Sequence, residues 1–140
     1  LHRIIGEAHT VAIYSPLPGR TLRDIVNSNE ADANLMYRLG VFLARVQRQG
    51  IYFRSIHPGN IIVNGMDFGL IDILDMRVHW WSLSRWARRR NWRHFFRYPH
   101  EWENHGDLIQ ALIKGYRHSA DLPLRELNWL ERIIGKLISI

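Results

Sequence analysis

Cysteine is absent from all 140 residues, which excludes disulfides and thiolate zinc sites and fits a reducing compartment such as the cytoplasm. No run approaches the roughly 20 uncharged apolar residues of a membrane-spanning helix. No basic start followed by an apolar middle marks a cleavable signal. Acidic residues are missing from residues 85–97, which instead hold Arg85, Arg88, Arg89, Arg90, Arg93 and Arg97, with His94 beside them. His2, His9, His79, His100, His105 and His118 show no helical metal-ligating spacing, so no zinc site is expected.

What is present suits one domain over residues 1–140, because a 46% hydrophobic content is enough for an ordinary core. The net charge of +6 is concentrated in the arginine block. Such a block attracts phosphate-bearing partners: an anionic sugar, an anionic lipid surface or nucleic acid. It can also be simply a solvated face. Six arginines without an acid repel one another at helical spacing. Interleaved Trp80, Trp81, Trp86, Trp92, Phe95 and Phe96 divide between a core face and a surface that suits a membrane interface. Nucleic acid is the weaker reading, since no recognised nucleic-acid module accompanies the charge.

Periodicity outlines an α+β chain. Val11-Ala12-Ile13-Tyr14 reads as a short buried strand, broken by Pro16, Pro18 and Gly19. Thr21 is placed to cap a short helix over 22–26. From 32 to 47, Leu35, Met36, Leu39, Phe42, Leu43 and Val46 recur at helical spacing, with Gly50 placed to end the helix. The runs 61–63 and 69–73, joined by the turn-rich 64–67, predict a small hairpin. Helices follow. Ser82 or Ser84 is expected to cap one running to about Arg97, Asp107 a second, and Asp121 with Pro123 opens a third. The expected order is strand, helix, helix, hairpin, three helices.

The chemistry-bearing residues are Arg54-Ser55-Ile56-His57-Pro58-Gly59-Asn60, followed by Asp72 in Gly69-Leu70-Ile71-Asp72-Ile73. Their order and spacing resemble the catalytic loop and metal-binding strand of the protein-kinase-like fold, and the chain resembles its C-terminal lobe. His57-Pro58-Gly59-Asn60 is similar to the H-P-G-N of aminoglycoside and small-molecule phosphotransferases. Tyr52-Phe53-Arg54-Ser55 and the arginine- and tryptophan-rich helix look closer to bacterial lipopolysaccharide-core sugar kinases and to toluene-tolerance proteins of Pseudomonas type. The resemblance implies a mostly helical C-lobe with a hairpin that carries the site, residues 11–19 as the hinge, and ATP and Mg²⁺ as cofactors. It assigns Asn60 and Asp72 to the metal and nucleotide, and His57 either to a phosphate contact or to bracing the loop. Arg54 borders the loop as a structural arginine. Arg85, Arg88, Arg89 and Arg93 would receive an anionic sugar or glycolipid acceptor, with peripheral contact to the inner face of a membrane.

Three departures from that pattern stand out. Ser55 occupies the position of the usual catalytic aspartate, and a serine hydroxyl is no general base at neutral pH. Ser55 reads as a loop-stabilising hydroxyl rather than a nucleophile, since no histidine–carboxylate relay adjoins it. Asp72 lacks the glycine that commonly follows. A glycine-rich loop and phosphate-binding lysine are not found before Val11, so the N-lobe is expected to lie upstream of Leu1 or to be absent. Asp75, three residues after Asp72, reads either as a substitute base or as an ion-pair partner of Arg77 or another arginine. Three functions follow: an active sugar or glycolipid kinase, a pseudokinase serving as a binding module, and a basic membrane- or nucleic-acid-binding domain.

Overall fold

Polar side chains start the first helices by capping otherwise unpaired amide groups. Thr21 accepts the Asp24 N–H at 3.1 Å and opens α1 (Leu22–Asn27). Asp32 accepts the Leu35 N–H at 2.6 Å and opens α2 (Ala33–Arg48). Ser84, rather than Ser82, caps α3 (Arg85–Phe95), accepting the Ala87 N–H at 3.3 Å. This helix ends short of Arg97, and Pro99 begins a 3₁₀ turn, Pro99–Trp102. Helix α4 (Gly106–Ser119) starts one residue before Asp107, so Asp107 lies in its first turn and is not its cap. A carboxylate there still interacts favourably with the helix dipole. The Pro123 carbonyl accepts the Glu126 and Leu127 amides at the start of α5 (Leu124–Ile138).

The computed structural model describes residues 2–5, 10–13 and 16–138, with 2–5, 10–13 and 138 described by backbone only. Strands β1 (His2–Ile5) and β2 (Thr10–Ile13) pair antiparallel. Tyr14, expected to close the second of these, lies outside the described residues. Strand β3 (Arg20–Thr21) lies against β5 (Ile61–Asn64), which forms the expected hairpin with β6 (Asp67–Leu70). The hairpin turns through Gly65 and Met66, with Asn64 opposite Asp67. Its second strand ends at Leu70 instead of running on to Ile73, because Asp72 takes a left-handed conformation at φ 56°. A further antiparallel pair, β4 (Ile51–Phe53) with β7 (Met76–Val78), was not legible in the sequence.

The core joins these small sheets to the helices. Leu22, Met36, Leu39, Leu43, Phe53, Ile56, Ile61 and Leu112 are all buried in one cluster. Each such side chain contributes about 1.5–3 kcal/mol. Helices α2 and α4 approach so closely that a methyl group on Gly40 would collide with the Leu112 carbonyl, and one on Gly115 with the Tyr37 carbonyl. Trp92, Phe95, Phe96 and Trp102 form an aromatic group with ring centroids 4.9 Å apart for Phe95–Phe96 and 5.3 Å for Phe95–Trp102. The fold is α+β, mostly helical with small antiparallel sheets.

Candidate functional site

The loop after β4 is held from inside the core. Asn91, itself buried on α3, donates to the Phe53 carbonyl at 2.9 Å and fixes the strand that delivers Arg54 and Ser55. A 3₁₀ turn, Pro58–Asn60, then leads into β5. The Asn60 carbonyl accepts the Ile71 N–H at 3.0 Å, which sets Asn60 and Asp72 at the same end of the hairpin. The Asn60 amide donates to the Ser55 carbonyl at 3.0 Å, closing the loop on itself and leaving its own oxygen as the acceptor atom. Asp72 is exposed, and its carboxylate makes no capping hydrogen bond to the turn that follows.

Ser55 and Asp75 meet directly. The Ser55 hydroxyl donates to Asp75 Oδ2 at 2.8 Å, and Arg54 Nε stands 3.9 Å from the same oxygen. Asp75 Oδ1 is buried and has no hydrogen-bond partner among the described residues. A buried carboxylate oxygen of this kind carries an unmet demand for a donor. Arg54, of the two readings open for Asp75's partner, takes the ion-pair position; Arg77 does not. Asp75 also lines a cleft of about 530 Å³ between β7 and the start of α3, with Tyr52, Arg54, Leu74, Trp81, Trp86 and Arg90.

His57 caps the 3₁₀ turn, its Nδ1 accepting the Gly59 N–H at 3.2 Å. In the neutral ring that bond places the proton on Nε2, which is then a donor. Burial, and then the Arg23 guanidinium, hold His57 below the ordinary histidine range and favour this neutral form. Arg23 is anchored to Glu101 at 2.7 Å, tying α1 to the Pro99–Trp102 turn beside the loop. No sequence signal marked that pair, since 78 positions separate its members.

The arginine block divides three ways. Arg89, Arg90, Arg93 and Arg97 line a groove with Trp86 and His94. Trp86 and Arg90 also line the Asp75 cleft, so the two grooves share a wall. Arg85 turns away and stacks over Trp129 of α5, 4.7 Å from the ring centroid. Arg88, expected at the anion surface, is only 1% exposed and belongs to the core. It donates to the Leu83 carbonyl at 2.9 Å, Tyr116 Oη at 2.7 Å, Ser82 Oγ at 2.7 Å and Gln47 Oε1 at 3.4 Å. Burial within this network pushes the Tyr116 phenol up from its usual value. Of the expected set Arg85, Arg88, Arg89 and Arg93, the structure brings only Arg89 and Arg93 to this groove, together with Arg90 and Arg97. His94 sits beside them, held below its ordinary range by burial and then by Arg90.

Asn60 and Asp72 offer one amide oxygen and one carboxylate, both hard donors. Among the described residues no group of three or more His, Asp or Glu side chains is placed to hold a metal ion. The pair fits Mg²⁺ that keeps water and phosphate oxygens in its remaining positions, and does not fit an all-protein cage. No known protein-family model and no curated protein matches the chain. Among the described residues no helix is long and apolar enough to cross a membrane.

Proposed function

We propose that the chain is the C-terminal lobe of a protein-kinase-like phosphotransferase, using ATP and Mg²⁺ to phosphorylate a hydroxyl of a sugar or glycolipid. The observation that carries this reading is the Asp75 carboxylate, part-exposed on the cleft wall and hydrogen-bonded to Ser55, whose carbonyl in turn holds the Asn60 amide. The loop has a serine where the resemblance expects the proton acceptor, and Asp75 brings a carboxylate to that serine. Ser55 bonds Oδ2 and so orients the carboxylate, which is the base that takes up the acceptor hydroxyl's proton. His57 Nε2–H is the donor for a phosphate oxygen. Asn60 and Asp72 would hold the metal, which when bound neutralises charge on the transferred phosphoryl group. The groove of Arg89, Arg90, Arg93 and Arg97 supplies the charge for an anionic acceptor.

Two measurements on the intact protein test this. Saturating Mg²⁺ and ATP should raise the melting temperature, because a ligand bound to the native state at 100 times its Kd adds about 2.7 kcal/mol. Transfer of labelled γ-phosphate to a glycolipid acceptor should then fall about 10²–10⁴-fold in Asp75→Asn while the thermal shift persists. No shift overturns the nucleotide reading, and full turnover in Asp75→Asn removes the base. A shift without transfer in the unaltered protein assigns the pseudokinase reading, which the serine at position 55 favours.

A further inference from the structure

We propose that the face formed by β7, residues 79–84 and the outer side of α3 docks on an anionic lipid bilayer. The inference rests on exposure and charge, and stands apart from whether the loop transfers phosphate.

Within a short span of chain, Trp80 is 100% exposed, Leu74 96%, Val78 71%, Trp81 67% and Trp86 65%. A soluble surface does not ordinarily concentrate apolar side chains in this way, and such patches mark contact sites. These residues do not lie over the core: the apolar side of α3 is spent on Trp92 and Phe95, which are buried. Tryptophan is the side chain best suited to the boundary between headgroups and acyl chains, with an apolar body and one polar N–H.

Charge selects the occupant. Arg89, Arg90, Arg93 and Arg97 line the adjoining groove without a carboxylate among them. Arg90 lies over the Trp86 ring, 5.2 Å from its centroid, so guanidinium and indole are presented together. Of nineteen basic side chains in the protein only Lys114 and Lys136 are lysines, so the charge is almost wholly guanidinium, the fork that pairs bidentately with phosphate. A bilayer of anionic phospholipid offers both partners at once, phosphate at the depth of the arginines and hydrocarbon beneath the tryptophans. Nucleic acid would satisfy the arginines and could stack on indole rings, but gives Leu74 and Val78 no apolar surface to cover them.

The test is co-sedimentation of the chain with phosphatidylglycerol–phosphatidylcholine vesicles, against vesicles of phosphatidylcholine alone. Binding is expected to the anionic vesicles only and to weaken with added salt. Arg89→Gln with Arg93→Gln should weaken it roughly 25-fold, from about fivefold for each arginine near an anionic surface. Brominated acyl chains should quench the indole emission of the bound chain, and Trp80→Ser with Trp81→Ser and Trp86→Ser should remove that quenching and weaken binding. Circular dichroism of the triple variant should match the parent, since all three side chains are exposed. Failure to bind anionic vesicles overturns the proposal, as does unchanged binding by the triple variant. Retention on DNA equal to that on vesicles, with emission unquenched, also overturns it. Docking without phosphoryl transfer leaves the proposal standing and counts against the phosphotransfer reading; transfer without docking does the reverse.

Discussion

Replacing Arg88 by alanine should destabilise this protein more than replacing any other arginine of α3. Its guanidinium is buried, and among the described residues no carboxylate forms an ion pair with it. Four neutral oxygens hold the charge, and they belong to α2, α4 and the approach to α3. Truncation does not orphan all four. Ser82 is exposed and finds water, and Tyr116 keeps its 2.7 Å bond to Gln47. The Leu83 carbonyl loses its side-chain donor, at about 1–3 kcal/mol for a buried group left unpaired. The emptied volume adds a cavity term, which brings the total to about 3–5 kcal/mol, the range for cutting a large buried side chain to alanine. For 140 residues the unfolding entropy is about 0.3 kcal/mol/K, so the melting temperature should fall by about 10–17 °C. Arg88→Met keeps most of the volume and removes the burial cost of the charge, so it should lose less than half as much. Arg88→Lys should be worse than methionine, because one ammonium cannot reach acceptors spread around a planar fork. Thermal unfolding followed by far-ultraviolet circular dichroism measures all three. A drop of about 2 °C or less in Arg88→Ala, typical of a surface substitution, would refute the burial reasoning and return Arg88 to the anion surface.

Two further outcomes follow from packing and titration. Gly40→Ala drives a methyl into the Leu112 carbonyl where α2 meets α4, so urea unfolding should show a loss of about 1–3 kcal/mol or more. His57 and His94 both lie below the ordinary 6.5 in the folded chain, chiefly through burial, so below that pH the unfolded chain takes up protons that the folded chain refuses. Stability should therefore be complete above pH 6.5 and fall as pH drops through the folded values. His57→Gln with His94→Gln should flatten that acid limb in a urea titration; an unchanged slope would assign it to other groups.

Much of the helical framework was legible because it is local. Thr21, Asp32 and Ser84 announce helix starts through bonds three residues long, and the stripe from Leu35 to Val46 needs no knowledge of its partner. Pairings across the chain were not. β4 and β7 are three residues each, too short for alternation to show. The fate of Arg88 depends on Gln47 and Tyr116, 41 and 28 positions away. One local signal did exist: Arg88, Asn91, Trp92 and Phe95 fall at i, i+3, i+4 and i+7, the spacing of a buried face. At the site, the loop residues and Asp72 were visible as a spaced motif. The Ser55–Asp75 contact depends on the left-handed turn at Asp72, which redirects the chain just after the strand.

The glycine contact between α2 and α4 has a consequence for how the molecule opens. Where two helical backbones touch without an intervening layer of side chains, neither can loosen unless both part together. Amide protons along that seam should be the last to exchange with deuterium, and those of residues 73–84, on short strands and turns at the surface, among the first. The segment that carries Asp75 would then breathe against a frame that stays closed.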